Sequence, residues 1–409
     1  MTATSLDKDK IKVLLLEGIH DTAVEAFRSA GYSQIERRTA AVPEDELPEL
    51  VRDVHILGIR SRTHLTDDVF GAADKLIAVG AFCIGTNQID LEAASQRGVA
   101  VFNAPFSNTR SVAELVLAEA ILLLRGVPEK NAQAQRGEWA KSVGTSREIR
   151  GKTLGIVGYG NIGKQLSVLA EGLGMRVVFY DTSDVLPLGN ARPMPGLADV
   201  LRESDVVTLH VPEAPATRGL VGADEISAMK PDAVLINASR GTVVDLDALA
   251  AALRDGHLAG AAVDVYPTEP RSNDDPFETP LQGIDRAILT PHVGGSTVEA
   301  QENIGAEVAG KLVRYSDTGT TETSVNVPEV VLPPHPGGHR LLHIHRNVPG
   351  VLAAINGAFS AMGANVAAQF LQTRGELGYV VTDLDGEQSR DALDALRQID
   401  GTIRARVLY

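Results

Sequence analysis

The chain has little cysteine and little aromatic character: of its 409 residues one is cysteine, Cys83, one is tryptophan, and aromatic residues make up 4%. A single cysteine excludes an intrachain disulfide and a cysteine-rich zinc site, which fits a reducing cytoplasm. Cys83 lies in an apolar stretch, where we expect a core residue rather than a nucleophile. So few aromatic residues also argue against the stacking surfaces that bind single-stranded nucleic acids.

Long apolar runs and an excess of positive charge are missing as well. The most apolar run, 115–124, is interrupted by Glu119 and is shorter than the ~20 residues of a membrane span. Lysine and arginine total 38 against 53 acidic residues, and the net charge of −15 argues against broad binding to nucleic acids or anionic membranes. Residues 7–10 are charged where a secretory signal needs an apolar core, so a cytoplasmic protein is expected. The histidines form no spaced cluster, so no metal site is predicted.

Short apolar runs alternate with helical patterns through residue 315, which predicts an α/β protein with parallel sheets covered by helices. A helix is expected over 296–315, with Ser296 or Thr297 as its N-cap, and a linker rich in proline and glycine follows over 327–338. The remaining residues, 339–409, show the order βαββαβ of a ferredoxin-like unit. The predicted strands of the parallel sheets are 11–16, 55–59, 76–79, 99–102, 153–157, 176–180, 206–209, 233–237, 260–265 and 287–289.

A glycine-rich segment, TLGIVGYGNIG at 153–163, joins a predicted strand to a predicted helix. Gly158 permits a tight turn, Gly160 lets the backbone approach a pyrophosphate, and Gly163 allows the helix to pack closely on the strand. Asp181 closes the next strand, 21 residues after Gly160, where an acid that binds ribose hydroxyls and repels a 2′-phosphate is expected. The segment therefore predicts an NAD site, and a structural glycine turn beside a turn aspartate is the alternative.

Side chains that can carry chemistry follow three later strands. Arg240 comes after strand 233–237, Glu269 after strand 260–265, and His292 after strand 287–289. Because the carboxyl ends of parallel strands meet at the ligand crevice, these three side chains together predict a catalytic site. Each taken alone is more often a surface ion pair or a satisfied polar contact.

In this order the segments resemble the D-isomer-specific 2-hydroxyacid dehydrogenases. The resemblance implies that Arg240 holds the substrate carboxylate and polarises the reacting oxygen. It implies that His292 exchanges the hydroxyl proton as general acid and base, while Glu269 orients its ring and stabilises the protonated form. The NAD contacts that the resemblance implies are Gly158, Gly160, Asn161, Ile162, Gly163, Asp181, Ala238, Ser239, Arg240, Asp264, His292, Gly294 and Gly295.

The same resemblance implies a domain organisation. In that family a discontinuous, flavodoxin-like substrate domain surrounds an inserted Rossmann NAD domain. The tail, with HIHRN at 343–347 and GAN at 363–365, resembles a ferredoxin-like ACT domain, which binds small molecules. The predicted domains are 1–107 with 297–336 for the substrate, 108–296 for NAD, and 337–409 for the ACT domain.

The substrate is suggested by Arg60, Ser61 and Arg62, which place two guanidinium groups and a hydroxyl at a strand end. Such a cluster suits a phosphate, which small 2-hydroxy acids such as lactate lack. With the ACT tail, the resemblance narrows to the branch that oxidises 3-phosphoglycerate to 3-phosphohydroxypyruvate at the start of L-serine biosynthesis, with Asn108 as a further substrate contact. Surface charge is the alternative explanation of the two arginines.

The resemblance also implies control by L-serine as an inhibitor that binds the ACT domain, with a hinge at Gly337 and Gly338. It implies a homotetramer joined through nucleotide domains, near Trp139, and through ACT domains. The serine contacts that it implies are His345, Asn347 and Asn365.

Two other functions stay open at this point. One is a dehydrogenase for another small 2-hydroxy acid, including reduction of 2-oxoglutarate as a side activity. The other is a non-catalytic regulator that senses NADH on the same fold. Arg60 and Arg62 disfavour the first, because an unphosphorylated substrate gives them less to bind, and an intact Arg240, Glu269 and His292 disfavour the second.

Overall fold

The structure, a computed structural model, describes residues 6–139, 141, 144, 146–270, 274–333, 339–385 and 389–408. The chain forms two units: unit 1 comprises Met1–Ser107 and Gln301–Tyr409, and unit 2 comprises Asn108–Ala300. The predicted hinge at Gly337 and Gly338, and with it the predicted boundary of the ACT domain, lies outside the described residues. Across the described ranges, no helix is both long and apolar enough to cross a membrane.

The first part of unit 1 is a parallel sheet flanked by short helices. Its elements are β1 (Lys12–Leu15), α1 (Asp21–Ser29), β2 (Gln34–Arg37), α2 (Leu47–Val51), β3 (Ile56–Ile59), α3 (Asp67–Ala72), β4 (Ala78–Ala81), α4 (Leu91–Gln96) and β5 (Ala100–Asn103). The strand order β2-β1-β3-β4-β5 is that of flavodoxin-like folds. β3, β4 and β5 are buried along their whole length, since both faces of the sheet are covered.

Unit 2 is a doubly wound α/β domain with a seven-stranded parallel sheet. Its elements are α5 (Thr109–Leu124), α6 (Val127–Gln135), β6 (Thr153–Val157), α7 (Asn161–Gly172), β7 (Arg176–Tyr180), β8 (Arg192–Pro193), α8 (Leu197–Glu203), β9 (Val206–Leu209), α9 (Ala223–Ala228), β10 (Ala233–Asn237), α10 (Leu246–Arg254), β11 (Leu258–Val263) and β12 (Ala287–Leu289). The order β12-β11-β10-β9-β6-β7-β8 reverses between β6 and β9, which is the Rossmann switch point where ligands bind.

The C-terminal part of unit 1 has the predicted ferredoxin-like order. α11 (Val298–Thr318) follows Thr297, whose Oγ1 accepts the N–H of Ala300 at 3.1 Å and so confirms one of the two predicted N-caps. An antiparallel sheet of order β14-β15-β13-β16 then completes the βαββαβ pattern. Its elements are β13 (His339–Arg346), α12 (Val351–Ala361), β14 (Asn365–Arg374), β15 (Leu377–Asp385), α13 (Ser389–Arg397) and β16 (Thr402–Val407).

Two arginines connect this C-terminal sheet to the rest of unit 1. Arg340 is fully buried and forms a two-pronged ion pair with Asp383 of the same sheet, at 2.6 and 2.8 Å. Its Nη1 also donates to the carbonyl oxygen of Thr318 in α11 at 3.2 Å. Arg404 donates to the carbonyl oxygens of Leu76 at 2.6 Å and Arg97 at 3.1 Å. Because removal of one partner leaves a buried charge unpaired, breaking such a pair typically costs ~3–5 kcal/mol.

Candidate active site

The glycine-rich turn of unit 2 has the geometry of a nucleotide loop. Gly158 has a φ of +91°, and a Cβ there would lie 2.3 Å from the carbonyl oxygen of His210, so only glycine fits. A Cβ on Gly163 would lie 2.5 Å from the carbonyl oxygen of Gly158, which shows how closely α7 packs on β6. Nothing lies within 4 Å of a Cβ built on Gly160, so the backbone there is open to a ligand. The start of a twelve-residue helix beside this opening favours the negative charge of a pyrophosphate.

Asp181 is fixed against this turn. Its Oδ2 accepts the N–H of Tyr159 at 2.7 Å, and its Oδ1 accepts the N–H of Ser183 at 2.9 Å. The ring of Tyr159 is buried and stacks on Phe179 with 3.8 Å between ring centroids. The predicted ribose-binding carboxylate therefore lies at the edge of the loop, and Tyr159, which the sequence pattern did not single out, holds the loop on the sheet.

His292 and Glu269 form a hydrogen-bonded pair in unit 2. Nδ1 of His292 lies 2.9 Å from Oε2 and 3.0 Å from Oε1 of Glu269, and the N–H of Tyr266 donates to Oε1 at 3.2 Å. His292 has a φ of +53°, a left-handed conformation that is unusual without glycine and that functional sites often retain. With Nδ1 bonded to Glu269, Nε2 is the nitrogen for proton exchange with a substrate.

The electrostatics of the pair favour a charged histidine beside a charged carboxylate. The hydrogen bond with Glu269 raises the pKa of His292; burial opposes it, and the negative charges of Glu269 and Asp264 add to it. Burial alone raises the pKa of Glu269, but the hydrogen bond and positive charge of His292 outweigh it, so that pKa is lowered. An imidazole tuned in this way suits a general acid and base.

Asp264 fixes the loop that carries His292. Its carboxylate accepts the Thr290 hydroxyl at 2.6 Å, the N–H of Val293 at 2.8 Å and that of Gly294 at 2.9 Å. Its backbone carbonyl oxygen accepts the N–H of His292 at 2.8 Å. Asp264 is only 2% exposed and positions the loop that carries His292, and its predicted contact with NAD stays a prediction.

Arg240 belongs to the same cluster. Its carbonyl oxygen accepts the side-chain amide of Asn237 at 3.0 Å, and its Nη1 donates to the carbonyl oxygen of Ser239 at 2.7 Å. A Cβ on Gly241 would lie 1.9 Å from the backbone of Tyr266, so this segment packs tightly on the one that leads to Glu269. The positive charge of Arg240 lowers the pKa of His292 and of Glu269. Unit 2 thus brings together all three residues of the predicted catalytic set.

Further predicted contacts lie around this cluster. Asn108 immediately precedes α5 and is 9% exposed, and a Cβ on Gly295 would lie 2.2 Å from its Nδ2. Ser239 is 5% exposed, and both its N–H and its hydroxyl donate to Oδ1 of Asn237. The contacts of Asn108 with substrate and of Ser239 and Gly295 with NAD stay predictions.

The predicted phosphate-binding residues belong to unit 1. Arg60, Ser61 and Arg62 follow β3 at the carboxyl end of the parallel sheet, with Arg60 half-buried and the other two exposed. The structure therefore places them at a strand end, as expected, and leaves surface charge as the alternative.

One chain does not bring the predicted serine contacts together. His345 is 4% exposed and pairs with Gly378 on β15, whereas Asn365 pairs with Asp385 at the other end of that strand. Seven residues of strand separate the two places, which corresponds to about 23 Å. The side-chain amide of Asn347 donates to the carbonyl oxygen of Gly375, and that of Asn365 donates to Asp385.

A buried acid that the sequence did not mark as functional lies close to Asp264. Glu119 is 2% exposed, and neither carboxyl oxygen has a hydrogen-bond partner in the part of the chain that the structure describes. Burial, and then the charge of Asp264, raise its pKa to about 8. The only signal in the sequence was a single charge within an apolar helix. No cluster of metal-ligating side chains occurs among the described residues.

Comparison with known proteins gives two family matches. The D-isomer specific 2-hydroxyacid dehydrogenase NAD binding domain matches residues 117–294, and the AHAS small subunit-like ACT domain matches residues 341–404. These two matches confirm the α/β fold with a nucleotide domain and a C-terminal ACT-like domain, and they confirm NAD as the cofactor.

Full-length relatives and solved structures agree with these matches. The chain is 61% identical over 411 residues to a D-3-phosphoglycerate dehydrogenase of Escherichia coli K12, covering 100% of both chains. It is 58% identical over 405 residues to a D-3-phosphoglycerate dehydrogenase of Haemophilus influenzae, covering 99% of each. A solved D-lactate dehydrogenase from Aquifex aeolicus, complexed with NAD and lactic acid, is 26% identical with a TM-score of 0.63, over 74% of this chain and 95% of that one.

Proposed function

This chain belongs to the D-isomer-specific 2-hydroxyacid dehydrogenase family, and on that premise we propose that it oxidises 3-phosphoglycerate to 3-phosphohydroxypyruvate with NAD. The observation that carries the chemistry is the pair of Glu269 and His292, 2.9 Å apart, with Arg240 in the same cluster. The chain is 61% and 58% identical, over 100% and 99% of its length, to two enzymes named D-3-phosphoglycerate dehydrogenase, which supports this substrate over the others of the family.

The residues of unit 2 divide the work of the reaction. Arg240 holds the substrate carboxylate and stabilises negative charge on the reacting oxygen. Nε2 of His292 takes the proton of the C2 hydroxyl as the carbonyl forms, and Glu269 stabilises the imidazolium that results. NAD, when bound, would supply the acceptor for the hydride that leaves C2. In the reverse direction His292 returns the proton to the carbonyl oxygen.

The cofactor fits the open backbone at Gly160. Asn161 and Ile162, the first residues of α7, would lie against the pyrophosphate, where the amino terminus of the helix favours an anion. The carboxylate of Asp181 would bind the ribose hydroxyls and would repel a 2′-phosphate, which favours NAD over NADP. We also propose the three-domain division predicted from the sequence, with the ACT domain beginning near residue 337.

The substrate phosphate is assigned to Arg60, Ser61 and Arg62. Two guanidinium groups and a hydroxyl at one strand end supply charge-assisted donors that lactate-like substrates do not need. The 2-oxo acid group of 2-oxoglutarate could still be held by Arg240, so its reduction is proposed as a weaker side activity. The single cysteine of the chain fits the cytoplasm as the place of this reaction.

L-Serine is proposed as an inhibitor that binds between two ACT domains. His345 and Asn347 lie far along the sheet from Asn365, so a second copy must supply one part of the site. Their amide and imidazole groups match the hydroxyl, carboxylate and ammonium of serine. A second interface near Trp139, which is 90% exposed, would complete a homotetramer.

Consumption of NADH with 3-phosphohydroxypyruvate, followed by absorbance, tests this function. The expected result is turnover that exceeds turnover of 2-oxoglutarate and pyruvate, and that L-serine lowers. Preference for an unphosphorylated 2-oxo acid would assign the chain to another substrate, and absence of turnover with all three would favour a regulator that only binds NADH. Size-exclusion chromatography with light scattering gives the oligomeric state.

A further inference from the structure

The loop that carries the predicted phosphate-binding residues is built around one buried carboxylate. Glu17 follows β1, is 7% exposed, and belongs to unit 1. Its Oε1 accepts the N–H groups of Arg60 and Thr63, and its Oε2 accepts the N–H of Arg62, each at 3.0 Å. Three backbone donors of one short loop therefore converge on a single side chain.

The backbone of Glu17 is held in an unusual conformation. Its φ is +59°, in the left-handed region that residues other than glycine adopt rarely. Its N–H donates to the carbonyl oxygen of Ala40 at 3.2 Å, and the next residue, Gly18, donates to that of Arg38 at 2.9 Å. Such strain persists where the surroundings determine the position of a side chain, and this position aims the carboxylate at the loop.

A second buried side chain, Gln88, bonds the backbone of the same loop. Nε2 of Gln88 donates to the carbonyl oxygen of Arg60 at 2.7 Å, and Gln88 is 8% exposed. Its own carbonyl oxygen accepts the N–H of Leu65 at 2.8 Å. Glu17 thus binds N–H groups of the loop and Gln88 binds one of its carbonyl oxygens, while Ser61 and Arg62 remain exposed.

We propose that Glu17 is a positioning residue that sets the Arg60–Arg62 loop for the phosphate of the substrate. This inference rests on the proposed function, since it assigns a supporting role to the same phosphate-binding residues. Charge and geometry make opposite predictions for its removal. On Coulomb's law alone, loss of a carboxylate beside two arginines strengthens the binding of an anion, whereas loss of the three hydrogen bonds displaces the arginines and weakens it.

Steady-state kinetics of the full chain with NADH and 3-phosphohydroxypyruvate decide between the two. Glu17→Gln places an amide donor against a backbone N–H and is expected to raise KM about tenfold while kcat stays within about threefold. Glu17→Asp keeps the charge but shortens the reach, so it should also raise KM. The matched control is Glu36→Gln, which removes an exposed acid of β2 that pairs with Arg38 in the same unit. An unchanged or lowered KM in Glu17→Gln, or wild-type KM in Glu17→Asp, would overturn the proposal.

A double-variant cycle separates positioning from a general structural effect. If Glu17 acts through the loop, Glu17→Gln should raise KM little further when Arg62 is already alanine, whereas independent effects would multiply. NADH affinity, which depends on unit 2, should stay unchanged in every variant. Multiplying effects, or a parallel loss of NADH affinity, would contradict the positioning role.

An error in the proposed function can be told apart from an error in the role of Glu17. If the wild-type chain does not turn over 3-phosphohydroxypyruvate, the substrate assignment is wrong, and calorimetric titration with inorganic phosphate then decides the role of Glu17. Weaker phosphate binding in both Glu17→Gln and Arg62→Ala would support it. Equal binding in wild type and Glu17→Gln would refute it.

Discussion

Replacing Glu119 by glutamine is expected to make unit 2 less sensitive to pH. Helix α5 packs against β11 and against the loop that follows β12: a Cβ on Gly260 of β11 would meet Leu123 at 2.9 Å, and one on Gly294 of the loop would meet Leu115 at 3.6 Å. Glu119 lies between these two leucines on the same helix face and is 2% exposed. A carboxyl group buried there is stable only while it holds its proton.

The size of the effect follows from the pKa of Glu119, which is raised from 4.5 to about 8, first by burial and then by the charge of Asp264. The folded protein keeps a proton that the unfolded chain releases above pH 4.5, so the free energy of unfolding falls as the pH rises from 4.5 to 8. Between about pH 5.5 and 7.5 this group alone lowers the free energy of unfolding by roughly 2.5 kcal/mol, because each pH unit between the two pKa values contributes up to about 1.36 kcal/mol. Glutamine has no proton to lose, so its variant should lack this fall.

Hydrogen exchange of the slowest amides in α5, measured at about pH 5.5 and 7.5 in wild type and Glu119→Gln, gives the change in the free energy of unfolding of each protein. Comparing the two proteins at each pH cancels the other titrating groups, such as His210, whose pKa burial lowers to about 4. Glu114→Gln, an exposed position of the same helix paired with Arg110, is the matched control. If wild type and Glu119→Gln change in parallel from pH 5.5 to 7.5, Glu119 is ionised in the folded protein and the reasoning from its burial is wrong.

Three further predictions concern the cofactor, the proton and the effector. Asp181→Ala should weaken the binding of NAD and lower the preference of the enzyme for NAD over NADP. An unchanged ratio of kcat/KM for the two cofactors would contradict the assignment of Asp181 to the ribose. Glu269→Gln removes the negative charge beside His292 and weakens the hydrogen bond that raises its pKa. The rate of carbonyl reduction, which needs the protonated ring, should therefore decline at lower pH than in wild type, and an unshifted pH profile would exclude that coupling. Asn347→Ala and Asn365→Ala should each relieve inhibition by L-serine with kcat barely changed. Full inhibition in both variants would show that L-serine binds elsewhere.

The sequence predicted the bounds of five strands of unit 2, β6, β7, β9, β10 and β12, because short apolar runs bounded by polar or glycine residues mark both ends. Continuous burial is not the reason, since β7 begins with the exposed Arg176 and β12 is only partly buried. The fully buried β3, β4 and β5 each begin one or two residues later than predicted. β2 was missed, since Ile35 is its one apolar residue and the strand lies at the edge of its sheet, largely exposed. β11 begins two residues earlier than predicted, at Leu258, because the pattern gives no boundary there.

The proximity of three polar side chains in unit 2 could be predicted from the sheet alone. Arg240, Glu269 and His292 follow parallel strands, and the ends of parallel strands meet at one edge of a sheet whatever the details of packing. Glu17 and Glu119 could not be recognised, because their roles depend on contacts between distant parts of the chain. The donors to Glu17 come from residues 43 to 46 positions away, and the burial of Glu119 depends on how α5 lies along β11.

The measurement that bears most directly on the proposed chemistry is turnover of 3-phosphohydroxypyruvate by His292→Ala across about pH 6 to 9. If His292 is the general acid and base, kcat should fall by roughly 10²–10⁴-fold at every pH, while the dissociation constant of NADH, measured by fluorescence titration, stays that of wild type. Turnover near the wild-type value anywhere in that range, with NADH bound equally well, would show that another group exchanges the proton.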